Sequence, residues 1–204
     1  TGVGAVILDE FHERSIDADL ALGLLTRMQA LRPELKLAVM SATLDAERVA
    51  RYLGGAPALS ASGRLYPVSI SFLDRPPTKP VWEMAAEALD RVLDVEPAGD
   101  VLVFMPGAYE IDRTIEQCRQ TLKRRDETFE LFPLHGSLPP AEQDRAVEPA
   151  APGTRKVIVA TNVAETSITI EGVRAVIDSG TARTHRVDPK RGLNTLRVEP
   201  VSRA

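Results

Sequence analysis

The chain has 204 residues, 44% hydrophobic and 26% charged, with a formal net charge of -4 and an isoelectric point near 5.5. That composition suits one large globular domain or two small ones, and it excludes a disordered tail and a protein that holds nucleic acid by bulk positive charge. No uninterrupted apolar run approaches the roughly 20 residues of a membrane helix, and Thr1 opens nothing like a secretion leader, so a cytoplasmic protein with no membrane partner is expected.

The first informative stretch is AVILDEFHERS, residues 5–15. Val6, Ile7 and Leu8 predict a fully buried parallel strand, and ligands of open α/β sheets sit just outside the carboxyl ends of such strands. Asp9, Glu10 and His12 stand at that end. In phosphate-loop NTPases an aspartate placed there holds magnesium, and a neighbouring carboxylate can position and deprotonate the attacking water. The competing reading is a solvated loop in which Asp17 caps the next helix.

That helix is predicted from about Asp17, with Leu20, Leu24 and Met28 at four-residue spacing, until Pro33 stops it. A second strand spans Lys36 to Met40 and ends in Ser41-Ala42-Thr43. A short helix from Asp45 to Leu53 is closed by Gly54-Gly55. Leu59 to Leu73 reads as two short strands around Gly63, and DRPPTKP, residues 74–80, as a stiff extended linker between domains.

Beyond it, Val81, Ala85, Leu89 and Val92 share one face of a helix over 81–95, and residues 101–105 form a buried strand. A helix over 108–125 carries Ile111, Ile115, Cys118 and Leu122 in step, which makes the only cysteine core filler and leaves no disulfide or zinc site within one chain. A strand at 129–134, a helix opened by Pro139-Pro140, and strands at 157–160 and 175–178 complete the alternation expected of a parallel sheet. The strand at 157–160 again delivers polar groups at its end: Thr161, Asn162, Glu165, Thr166 and Ser167. Capping of the following turn is an equally simple use for Thr166 or Ser167.

Local basic clusters are Lys123-Arg124-Arg125, Arg183 with Arg186, and Lys190-Arg191. The first is best read as a solvated helix end, where cations suit the dipole. His135 and His185 are read as turn or surface residues.

Four motifs in order, DEFH, SAT, VFMPG and ATNVAETSITIEGV, make the chain resemble a superfamily 2 helicase of the DEAH/RHA class, most like the bacterial HrpB-type enzymes, over nearly its whole length. The resemblance implies two RecA-like parallel-sheet domains: residues 1–73 as the C-terminal part of the first, 74–80 as linker, and 81–204 as an incomplete second. It implies ATP and Mg²⁺ as cofactors and single-stranded nucleic acid, RNA rather than DNA, as partner. Asp9 would coordinate Mg²⁺ through water, Glu10 would polarise the attacking water, and His12 with Ser41 and Thr43 would link the nucleotide site to domain movement. Thr161, Asn162 and Thr166 would touch the nucleic-acid backbone or the nucleotide side of the second domain, Glu171 would reach a ribose of the nucleic acid, and Asp178 would face the ribose or γ-phosphate region of the nucleotide.

Two departures stand out. Neither the phosphate loop G-x-x-x-x-G-K-[ST] nor the arginine-finger motif Q-R-x-G-R-x-G-R occurs in the 204 residues, so a piece of a larger enzyme, inactive alone, is expected. Val147 stands about where many eukaryotic members of the family place an aromatic ring that stacks on adenine, which predicts stacking that is weaker or supplied elsewhere. A DNA translocase or nuclease-coupled helicase with the same motor, and a catalytically dead RecA-like binding module, are the alternatives; the intact Asp9-Glu10 pair argues against the latter.

Overall fold

The structure, a computed structural model, describes residues 2–42, 46–61, 63, 66–73, 78–162, 170–188 and 192–201. It divides into two compact units, Thr1–Ile70 and Ser71–Ala204.

In the first unit, β1 (Ala5–Leu8) pairs in parallel with β2 (Lys36–Val39), Ala5 opposite Lys36 and Leu8 opposite Val39. Between them runs α1 (Ile16–Leu31). Its cap is Ser15, whose Oγ accepts the Ala18 N–H at 3.1 Å; Asp17, expected to cap, instead joins Asp19 in the first turn, where carboxylates suit the positive helix end. The helix stops one residue short of Arg32-Pro33, because the residue before a proline disfavours the helical region. Helix α2 (Ala46–Tyr52) is closed by Gly54 and Gly55, both at positive φ.

Two expectations fail here. β1 is not fully buried: Ile7 is 61% exposed, and Leu20, Leu24 and Met28 of α1 are exposed too, since a two-stranded sheet with one long helix has no second layer to cover its faces. The alternating segment up to Leu73 forms no strand among its described residues, and Val68, Ile70 and Phe72 stand exposed. Alternation is necessary for a half-buried strand, but a strand also needs a partner ladder for its backbone groups.

The second unit is a layered α/β body. Helix α3 (Val81–Val95), β3 (Asp100–Phe104), α4 (Ala108–Leu122), β4 (Thr128–Leu134), α5 (Pro140–Val147), β5 (Thr154–Ala160) and β6 (Val173–Asp178) follow one another, and the four strands form an all-parallel sheet in the order β4-β5-β3-β6. Successive strand residues feed opposite faces. Val101, Val103, Val157 and Val159 meet Leu89, Leu93, Ile111 and Cys118 of α3 and α4, whereas Leu102, Ile158 and Ala160 meet Ala146 of α5. Each such fully buried aliphatic side chain contributes about 1.5–3 kcal/mol.

Two charged residues lie inside among those described, Asp100 and Lys156, and Asp100 Oδ1 accepts the Lys156 N–H at 2.7 Å. Lys156, 2% exposed, sends its ammonium to the carbonyls of Arg145, Ala146 and Glu148 at 2.9, 2.7 and 2.6 Å, so it caps the C-terminus of α5. Burial pushes its pKa below the ordinary lysine value. The cluster at 123–125 follows α4 as a turn, and Arg125 is bound to Asp90 and Asp94 of α3 at 2.6 and 2.8 Å.

Beyond β6, β7 (Thr181–Asp188) and β8 (Leu193–Pro200) form an antiparallel hairpin that periodicity did not reveal. Among the described residues no helix is long and apolar enough to cross a membrane.

Candidate functional site

In the first unit the polar residues gather where β1 and β2 end. The Met40 N–H donates to the Leu8 carbonyl at 2.8 Å and the Phe11 N–H to the Met40 carbonyl at 3.1 Å, so the turn after β1 is laced to β2. Phe11 plugs the turn, 2% exposed, while Asp9 and Glu10 point to solvent. Glu10 and Arg14 both adopt left-handed backbone, φ 51 and 49, around a single 3-10 turn at Phe11–Glu13. Such strain is unusual for residues other than glycine and concentrates at sites of function.

Asp9 Oδ1 accepts the Glu10 N–H at 2.8 Å, which fixes the first carboxylate relative to the second. His12 Nδ1 lies 3.3 Å from Glu10 Oε2 and 3.5 Å from the Ala42 N–H. One imidazole thus touches the carboxylate of DEFH and the backbone of SAT. Ser41 sits beside it in sequence at the end of β2; Thr43 lies outside the described residues.

No group of three or more His, Cys, Asp or Glu able to hold a metal occurs among the described residues. Asp9 and Glu10 nevertheless fit Mg²⁺, which keeps most of its water and takes one or two carboxylates with phosphate oxygens rather than a closed protein cage.

In the second unit, strand order reverses around β3, and the carboxyl ends of β3, β5 and β6 open onto one small, open recess lined by Phe104, Met105, Asn162, Asp178, Thr181 and Arg183 among others. The Thr161 N–H is held by the Leu134 carbonyl at 3.0 Å and the Met105 N–H by the Ala160 carbonyl at 2.8 Å. Asp178 Oδ1 accepts the Gly180 N–H at 2.8 Å, which turns the chain into β7.

The recess draws in residues that no local motif marked. Arg183 of β7 folds back over Gly107: a Cβ on that glycine would lie 2.6 Å from the guanidinium carbon. The guanidinium is 3.4 Å from Glu110 Oε2 in the first turn of α4. The glycine of VFMPG was the available signal, since close approach of another chain segment demands a missing side chain. Arg186, the other member of the basic pair with Arg183, is bound to Glu199 at 2.9 Å.

The structure therefore brings Asn162 and Asp178 together at the recess, with Thr161 next to Asn162 at the end of β5, and leaves Glu171 out. Glu171 lies before β6, at the amino edge of the sheet, whereas Asp178 ends the same strand; five or six residues at about 3.3 Å each separate the two edges. Thr166 and Lys190-Arg191 lie outside the described residues. His135 is a turn residue whose Nδ1 is 2.8 Å from Ser137 Oγ.

The family described as the helicase conserved C-terminal domain matches residues 84–192, just over half of the chain. The chain is 46% identical to the ATP-dependent RNA helicase HrpB of Escherichia coli, over 100% of its own length and 25% of the relative's. It is 41% identical to the pre-mRNA-splicing factor ATP-dependent RNA helicase prp22 of Schizosaccharomyces pombe, over 98% of its own length and 17% of that protein. A crystal structure of the E. coli DEAH/RHA helicase HrpB superposes with a TM-score of 0.84 at 45% identity, covering 99% of this chain and 25% of that one. The chain thus spans at most about a quarter of these relatives' length. With its parallel sheet, its ordered motifs and more than half its length matched, the chain belongs to the helicase conserved C-terminal domain family.

Proposed function

We propose that the chain is part of an ATP-dependent RNA helicase, comprising the strand ends that activate water in the first unit and the strand ends that grip nucleic acid in the second. The observation that carries this reading is the DEFH turn itself: two solvent-facing carboxylates fixed by a strained, plugged loop, with His12 reaching the backbone of SAT. A solvated loop would have no reason to hold Glu10 left-handed.

Asp9 would hold Mg²⁺ through water, and the bound ion would neutralise charge on the β- and γ-phosphates. Glu10 polarises the attacking water and takes its proton. The bond from that water oxygen to the γ-phosphorus forms as the bond to the bridging oxygen breaks and ADP leaves with it. His12 and Ser41 pass the state of that site to the end of β2. Thr161 and Asn162 offer short polar groups to phosphodiester oxygens, which position a strand without reading its sequence, and Asp178 faces the nucleotide. RNA is the favoured substrate because both relatives are named RNA helicases.

The 204 residues by themselves supply neither phosphate-cradling amides nor arginine fingers, each worth large transition-state stabilisation. The purified chain is expected to release no phosphate from ATP above background, with or without RNA, while the full helicase carrying it turns over ATP faster when RNA is added. RNA-stimulated hydrolysis by the 204-residue chain would contradict the division of labour; a full protein indifferent to RNA would contradict the helicase reading.

A further inference from the structure

We infer that Tyr109 is a stacking platform for a base of the single strand, a role that rests on the nucleic-acid reading above and goes beyond it to a residue outside the DEFH, SAT and ATNVAETS motifs. Tyr109 occupies the first turn of α4, two residues after Gly107, at the carboxyl edge of the sheet. The residue is 56% exposed, an unusual position for a side chain that normally buries its body.

The ring is nevertheless held. Trp82, in the first turn of α3, meets it edge to face, centroids 5.9 Å apart at 89°, and the Arg113 guanidinium lies 5.8 Å from its centroid, one helical turn further along α4. An exposed aromatic ring fixed by two neighbours loses little side-chain entropy when a base lands on it. Arg183 stands on the other side of the same turn, at Gly107 and Glu110. An exposed π-surface beside the Arg113 guanidinium matches a nucleotide, whose base stacks and whose phosphate is anionic. Stacking is tolerant of sequence, which suits a motor.

Trp82 is the only tryptophan, so its emission reports directly on Tyr109. The experiment measures binding of the full 204-residue chain to a labelled twelve-nucleotide oligouridylate and to an abasic strand of equal length by anisotropy, while following Trp82 emission. The expected result is a change in emission with the oligouridylate alone, and a loss of affinity on the order of tenfold for Tyr109→Ala on that strand with little loss on the abasic one. Tyr109→Phe should bind as wild type. Equal losses on both strands, no loss on either, or silent Trp82 emission during wild-type binding would overturn the Tyr109 assignment alone. Failure of the wild-type chain to bind either strand would overturn it together with the nucleic-acid reading.

Discussion

Glu10 keeps a left-handed backbone that costs a residue with a Cβ about 1–2 kcal/mol, and it does so because its neighbours leave it no alternative. Phe11 is buried and tied to Met40, and Asp9 holds the Glu10 amide, so the carboxylate of Glu10 is presented rather than free to search. The two acids should therefore fail differently in the full helicase. Glu10→Gln is expected to leave binding of ATP and Mg²⁺ nearly intact and to lower kcat by orders of magnitude, whereas Asp9→Asn should weaken binding of the metal–nucleotide complex. Equilibrium nucleotide binding beside steady-state hydrolysis separates them, and normal turnover by Glu10→Gln would remove it as the base. These residues were legible because each follows an apolar run directly. Arg183 was legible only as one of a basic pair and Tyr109 not at all, since the recess joins β7 to the turn after β3, over seventy residues apart, and only folding shows that Gly107 makes room for a guanidinium.

At the scale of elements, α3, α4, β3 and β5 were readable within a few residues because their apolar spacing answers to a core that the second unit itself contains. The segment up to Leu73 has equally good alternation and forms no strand among its described residues, because no ladder receives it there. The β7–β8 hairpin escaped notice for the opposite reason: arginines and threonines occupy its strands, and backbone pairing rather than patterning defines it. Helix α4 offers a direct check on the core. Burial pushes the Cys118 thiol up to about 12. The thiol should ignore a disulfide reagent at pH 8 in the folded chain and react at once in denaturant, and the folded chain reacting as fast as the unfolded one would show that α4 does not pack as described. The sign of the linkage follows from an acid raised above its unfolded value of about 9.0: this contribution to stability is complete below that pH and is lost as pH climbs towards 12.

Taken whole, the chain carries polar groups at the carboxyl ends of parallel strands in two separate units, with a thin first sheet and a fully layered second one. The α/β class and the parallel sheet followed from alternating strands and helices; the exposed apolar face of α1 did not, because sequence shows which residues want burial but not whether a layer exists to bury them. The central claim is that strand contact at the end of β5 drives hydrolysis without reading bases. The most direct measurement is ATP turnover by the full helicase, with and without several unrelated single-stranded RNAs, for wild type and for Thr161→Ala and Asn162→Ala. The expected result is a similar loss of stimulation on every sequence, severalfold or more, with unstimulated turnover changed much less. A loss confined to one sequence, or stimulation untouched in both variants, would contradict the account.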